Sequence, residues 1–444
     1  MTSSIFSSAS NLILHASLSL SLTLILRFLK IPTLLLHGLN TYIHPDDVNP
    51  TSNSQQGVRA AIRRPGMLDS ELKPRKKSKE KFEFDESKAQ IFRLKLNDSH
   101  LQSRLYCNEF SRTFYVIIVA ASCLLLQNFL PVSKDSGVLA NGSIVPILLG
   151  SAGVGKISIL IARVSLERSA SRRSEKELSF ILGVLGFLLG LTIVFQIAPY
   201  WLLDFGFGSL DGLGKFSVAV FMGCIAGFLY MPASRNARAF WLGTDQIRCN
   251  LSIISCGWIA RMLLYANYLF TVFTSLLWIN PFADILVNKN IDGRKGSQFN
   301  GTVIDAEKLV GNMGLSRSDL DKFRLWCLLV SGILQIVTLR PNVQMFLNEA
   351  MLCWYQRLHA SKFPDLDYSR AKVFLHNHYL CLVVLQFFAP PALVLLFLGL
   401  SQIADNFGLV KEVALFVAWW VVLVWAMFTS TILALYRRGI LYLS

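Results

Sequence analysis

The 444-residue chain reads as an all-α protein, a polytopic transmembrane bundle of about nine spans with one long cytosolic loop and interfacial helices. Three observations carry that reading. Hydrophobic residues make up 53% of the sequence and charged ones 16%, and the mean hydropathy is +0.47; soluble domains carry roughly 45–50% apolar and 25% charged residues. The apolar residues fall in nearly uncharged runs of about 17–25, enough at 1.5 Å per residue to cross roughly 30 Å of hydrocarbon. The net charge of +15, from 43 Lys+Arg against 28 Asp+Glu, sorts onto alternate connections between those runs. Together these exclude a cytosolic enzyme with one buried core, a disordered chain, a collagen-like rod and a disulfide-stapled secreted module.

The spans are expected at about 8–29, 113–131, 143–162, 178–203, 216–233, 263–279, 323–339, 379–400 and 412–436. Residues 1–30 form an N-terminal membrane anchor or signal-like segment. No charge occurs from Met1 to Leu26, and Arg27 and Lys30 follow the apolar run. A cleaved signal has its basic region first and a transit peptide is Arg-rich, so this order favours an uncleaved anchor over either alternative. Residues 31–112 are expected to be a basic, largely disordered cytosolic loop, with Arg63-Arg64 and the run Lys73 to Lys79 inside 44–112 and few large apolar residues beside them. Residues 113–444 supply eight further spans, with a luminal or extracellular loop at 280–322.

Orientation follows from the basic residues. With the N-terminus luminal or extracellular and the C-terminus cytosolic, 32 of the 43 fall in cytosolic segments, as the positive-inside bias requires. Two of the four Asn-x-Ser/Thr sites, Asn141 and Asn300, then lie on the glycosylated face, and Asn300 is the better acceptor because it sits in the longest loop there. None of the eight cysteines lies in a predicted luminal loop, so no disulfide framework is expected. Topology also accounts for the charge without nucleic acid. The expected partners are the bilayer, anionic cytosolic lipids along the 44–112 loop, and other membrane proteins such as channels. The membrane is an endomembrane or the plasma membrane.

Few motifs point to chemistry. Gly150-Ser-Ala-Gly-Val-Gly-Lys156-Ile157 nearly spells a phosphate-cradling loop, but Ile157 stands where a Ser or Thr must ligate magnesium, and apolar residues continue on both sides. Close helix packing explains its glycines better, as it does the pairs Gly186/Gly190 and Gly223/Gly227. Lys156 is about 9 Å from the cytosolic end at helical rise, close enough to snorkel; the alternative is a channel or transporter with a hydrated path near it. Gln196, Gln335 and Gln386 join Lys156 as intramembrane polar candidates, and Gln127, Asn128 and Asn267 are similar. Pro390 and Pro391 are expected to kink or break the eighth span. Phe240, Trp241, Trp258 and Trp354 mark interfacial helices, and whether 249–279 is one helix or two stays open. His376-Asn377-His378 lacks a third ligand. Without a G-x-S-x-G, H-E-x-x-H, paired CxxC or Asp-rich motif, no enzyme activity, metal or cofactor is expected.

Several short motifs resemble landmarks of the transmembrane protein 161 family: Leu203-Asp-Phe-Gly-Phe207, Gly227-Phe-Leu-Tyr-Met-Pro232, Leu276-Leu-Trp-Ile-Asn-Pro281, Phe323-Arg-Leu-Trp326, Gln386-Phe-Phe-Ala-Pro390 and Ala418-Trp-Trp420. Tyr42-Ile-His-Pro45 is similar too. The connection at 401–411 is shorter than the resemblance leads one to expect of animal members. The resemblance implies a non-enzymatic multi-pass membrane protein that regulates or scaffolds membrane processes, ion currents or membrane excitability among them, and it carries over no catalytic or ligand residues.

Overall fold

The structure, a computed structural model, describes residues 2–43, 58–60, 91–129, 144–167, 173–197, 203, 205–208, 210–245, 256–287, 316–360, 366–403 and 408–442. Among them are fourteen helices: α1 (Thr2–Phe28), α2 (Ile31–Leu36), α3 (Asp98–Gln102), α4 (Cys107–Phe129), α5 (Ile144–Leu166), α6 (Arg173–Val194), α7 (Gly212–Thr244), α8 (Trp258–Leu276), α9 (Asn280–Leu286), α10 (Arg317–Val337), α11 (Leu339–Ala360), α12 (Asp367–His378), α13 (Leu380–Ile403) and α14 (Gly408–Arg437). Eight are long and apolar enough to cross a membrane, and a ninth crossing is counted where α10 and α11 form a bent pair. The all-α polytopic bundle is as expected.

Burial sorts the helices. α13 has 89% of its membrane-length window inside the protein, against 17% for α1 and α6, so α13 is the axis and the other two face outward. α4, α5, α10 and α14 pack around α13, and α6 packs along α7. The glycines are the reason α6 and α7 lie so close. A Cβ on Gly183 would stand 3.3 Å from the Gly223 carbonyl oxygen, and one on Gly186 would collide with the Ala226 Cβ, both nearer than ordinary side-chain contact. Backbone approach of this kind is how spans associate where lipid removes the hydrophobic driving force. The near-phosphate-loop motif has the same explanation. α5 is helical throughout, and Cβ atoms on Gly150 and Gly153 would sit 3.0 and 3.1 Å from Leu400 and Leu396 of α13.

Several expectations need correction. The fifth span does not end at 233. α7 runs 33 residues, about 50 Å at helical rise, so its last turns carry Arg235 and Arg238 past the hydrocarbon thickness as part of the same helix. Trp258 opens α8, whose nineteen residues form a single helix over the described part of 249–279. α13 continues through Pro390 and Pro391 without a break. Gly332 of α10 makes room for α13 just after the two prolines, since a Cβ there would sit 2.9 Å from the Leu395 side chain. Between α10 and α11 the chain turns by 43° at Thr338, because the Pro341 ring obstructs the Val337 carbonyl four residues earlier. Trp354 is fully buried among Tyr42, Ile91 and Met351 rather than interfacial. The α10 start was not read from sequence: Ser316 Oγ accepts from the Asp319 N–H at 3.2 Å, a side-chain cap.

The described parts of 31–112 are ordered, which composition did not indicate. β1 (Asn40–Ile43), β2 (Val58–Ala60) and β3 (Ile91–Lys95) make an antiparallel sheet of order β1-β3-β2, with Tyr42 and Val58 both opposite Arg93. Amides dock it on the bundle. Gln344 of α11 accepts from the Asn40 N–H at 2.9 Å and donates to the Asn40 carbonyl at 3.1 Å. Asn377 of α12 donates to the Tyr42 carbonyl at 2.6 Å and accepts from Thr41 Oγ1.

Candidate functional site

The sheet, α11, α12, the start of α6 and the ends of α7 and α14 meet at one end of the bundle. There the helices, with the sheet outside the lining, form a cavity of about 920 Å³. Arg235 and Arg238, three residues apart, share one face of α7. Arg238 Nη2 is 2.8 Å from Glu175 Oε1 at the start of α6. Lys372 Nζ of α12 is 3.6 Å from Glu349 Oε1 of α11, both side chains 12% exposed. Arg235 Nη1 donates to Gln386 Oε1 of α13, behind the cavity wall.

His376, one turn after Lys372, stacks on Phe346 with centroids 4.4 Å apart. Its Nδ1 lies 2.8 Å from the Lys372 carbonyl. A carbonyl only accepts, so Nδ1 carries the hydrogen and Nε2 is left as an acceptor in the neutral ring. One ring edge faces the cavity, but the surrounding protein desolvates the imidazolium and lowers the pKa to about 4, Glu349 opposing that shift and Lys372 and Arg235 adding to it. Tyr230, Tyr436 and Tyr442 are among the further polar lining residues, while Leu178 and Leu182 of α6 and Met427 and Phe428 of α14 form apolar walls.

Of the intramembrane candidates, Gln386 alone joins this cluster. Gln335 is buried and donates to Ser331 Oγ at 3.4 Å within α10. Gln127 Oε1 accepts from His15 Nε2 of α1 at 2.7 Å. Lys156, partly exposed on α5, does not line the cavity. Gln196 is not in a span. α6 ends at Val194, and Gln196 follows in an exposed turn with φ 57°. Asn141 and Asn300 lie outside the described residues. His378 stacks on Phe374 at 5.8 Å while Asn377 holds β1, and among the described residues no three His, Cys, Asp or Glu side chains gather as metal ligands.

Sequence reasoning missed Glu175, Arg238, Glu349 and Lys372 as partners. Each looks like one more charge in a cytosolic connection. The available signal was the run of small and apolar residues past Pro232, Ala233, Ala237, Ala239 and Phe240, which continues a buried helical face through Arg235 and Arg238.

The opposite end holds an aromatic cluster built from the sequence landmarks. Leu203 bridges to Ile279. Phe205 stacks on Trp278 with centroids 5.1 Å apart and planes 4° from parallel, and it meets Phe416 at 4.9 Å and Trp419 at 5.3 Å. Arg324 lays its guanidinium over Trp278 at 5.2 Å and donates from Nε to the Leu277 carbonyl at 2.9 Å. Trp419 and Trp420 donate to the Ser275 and Met222 carbonyls at 3.0 and 3.2 Å. The landmark residues Phe205, Trp278, Arg324, Trp419 and Trp420 are thus packing elements. Residues 211–418 match the family described as predicted transmembrane protein 161AB. The resemblance read from the motifs is borne out over that stretch, which runs from the start of α7 into α14 and holds Arg235, Arg238, Glu349 and Lys372 of the charged cluster and Trp278, Arg324 and Phe416 of the aromatic one. No solved structure matches the chain.

Proposed function

We propose that this multi-pass membrane protein is a non-enzymatic regulator or scaffold of other membrane components, ion currents among the processes it modulates. The observation that carries the reading is how the polar groups at membrane depth are distributed. His15 with Gln127 ties α1 to α4, Gln335 with Ser331 stays within α10, and Gln386 ties α13 to Arg235 at the end of α7 that lies past the hydrocarbon. A conduction path needs such groups lining one hydrated file. Here they act pairwise as fasteners between or within helices, and Lys156 joins none of these pairs. The sheet shares an end with Arg235, Arg238 and Lys372, which supports a cytosolic assignment for that end; the basic residues of 44–112 would then face anionic lipid. Each basic residue near that surface contributes about 1 kcal/mol.

Reconstitution of the purified protein in liposomes tests this. Under imposed Na⁺, K⁺, Ca²⁺ or proton gradients it should carry no flux above protein-free vesicles, while its removal from cells changes the current through resident channels. Flux that Lys156→Ala reduces would replace the regulator reading with an autonomous channel or transporter.

A further inference from the structure

We propose that the charged cavity is the seat of one anionic phospholipid, with its phosphate among Arg235, Arg238 and Lys372 and its acyl chains leaving between α6 and α14. Charge gives the sign of the ligand. Among the described residues, the ionised groups lining the cavity are three cations, Arg235, Arg238 and Lys372, and two carboxylates, Glu175 and Glu349. Whatever the state of His376, it subtracts nothing from that positive balance. Arg238 and Lys372 each engage a carboxylate and Arg235 donates to the Gln386 side-chain oxygen, so three cations share two carboxylates. A phosphodiester is the class of anion that guanidinium forks and an ammonium bind together. The Tyr230 and Tyr436 hydroxyls line the same space as further donors.

Shape gives the rest of the molecule. α6 and α14 both pack on α7, and between them Leu178, Leu182, Met427 and Phe428 extend the cavity along the spans, floored by Tyr230, whose ring meets Phe428 at 5.8 Å. Leu178 is 41% exposed and Met427 50%, so this side opens sideways onto the apolar surface, where lipid is the available solvent. A water-soluble phosphate would have no use for that apolar extension. About 920 Å³ is ample for a head group and the first part of its chains. Such a site is stoichiometric and structured, unlike diffuse attraction by the basic 44–112 segment.

Native mass spectrometry of the full chain in detergent tests the proposal, with dioleoylphosphatidylglycerol, dioleoylphosphatidylcholine and soluble glycerol 3-phosphate as separate probes. One phosphatidylglycerol should bind about tenfold more tightly than phosphatidylcholine, and glycerol 3-phosphate should neither bind at comparable concentration nor compete. Lys372→Gln should lower that first binding step several-fold. Glu175→Gln should raise it, since it frees Arg238 and adds a net positive charge; a merely structural cluster would lose affinity in both variants. Leu182→Trp, which fills the apolar wall, should weaken the lipid alone. Neutralising Lys73, Lys76, Lys77 and Lys79 together should leave the first step unchanged. Equal binding of the two lipids, loss of binding in Glu175→Gln, or saturation by glycerol 3-phosphate would each overturn the proposal. Should Lys372→Gln not yield monodisperse protein, Glu175→Gln and Leu182→Trp decide it.

Discussion

Lys372 and Glu349 are the residues on which the cavity end most depends, because each is mostly removed from water and holds the other at 3.6 Å. Removing one partner of a buried pair strands the other charge, which costs about 3 kcal/mol or more, whereas removing both leaves no stranded charge. Lys372→Met should therefore lower the melting temperature in detergent more than the double variant Lys372→Met/Glu349→Leu, and additive losses would show that the two side chains act separately. His376 gives the pH dependence. Its pKa in the folded protein is about 4, below about 6.5 in an unfolded chain, so the unfolded state binds the extra proton between those values. The stability His376 contributes is complete above about pH 6.5 and is lost as pH falls toward 4, by up to about 3 kcal/mol. Wild type should lose thermal stability over that window more steeply than His376→Phe, which keeps the stack on Phe346; parallel curves would remove His376 as the cause. Neither Lys372 nor Glu349 is legible in the sequence as part of a site, and His376 stands out there only as half of a His-Asn-His pair. A sequence displays charge sign and spacing along one helix, but the pairings Glu175–Arg238 and Glu349–Lys372 join separate helices. Lys156 shows the reverse error of attention, since a Lys in a glycine-rich apolar run stands out in the sequence and proves to be an α5 residue apart from the cavity.

At the scale of elements the sequence was far more informative, because crossing a bilayer demands long apolar helices and little else satisfies the backbone there. The spans were found wherever apolar length alone decides, and their ends were misplaced wherever tertiary packing prolonged or bent a helix. α7 extends past Pro232 because its later turns are buried against α11, information that hydropathy does not contain. The α6–α7 pair offers a sharp test of which glycines matter. A Leu at Gly223 must displace Phe187 and the Gly183 carbonyl, since even a Cβ there would sit 2.7 and 2.9 Å from them, whereas a Cβ at Gly155 meets nothing within 4 Å. Gly223→Leu should destabilise the protein by about 1–3 kcal/mol or more, read as a lower melting temperature and easier proteolysis between α6 and α7. Gly155→Leu should be neutral although it interrupts the phosphate-loop-like motif. Comparable damage at both positions would mean that the motif has a role beyond the packing described.

For the whole molecule the decisive element is the bent pair α10–α11. If α10 crosses and α11 stays at the cavity end, there are nine crossings and the termini lie on opposite faces; if the pair enters and returns, eight crossings leave both termini on the same face. The packing favours nine. Arg324, near the start of α10, sits in the aromatic cluster with Trp278, while Gln344 and Glu349 of α11 bond to the sheet and to α12 at the other end. α10 therefore connects the two ends, and α11 remains with the cavity. Combined with the basic residues on alternate connections, this predicts a luminal or extracellular N-terminus and a cytosolic C-terminus. A pair of reporters tests it: an epitope at the C-terminus should be digested by protease added to the cytosolic face of sealed vesicles, and one at the N-terminus only after the membrane is opened. Asn300 should acquire glycan and Asn97 should not. Recovery of the N-terminal epitope at full length would also show that α1 is kept as the anchor whose His15 bonds to Gln127 of α4. Digestion of both epitopes from the same face would remove α10 as a crossing, and with it the assignment of the charged cavity and the aromatic cluster to opposite faces of the membrane.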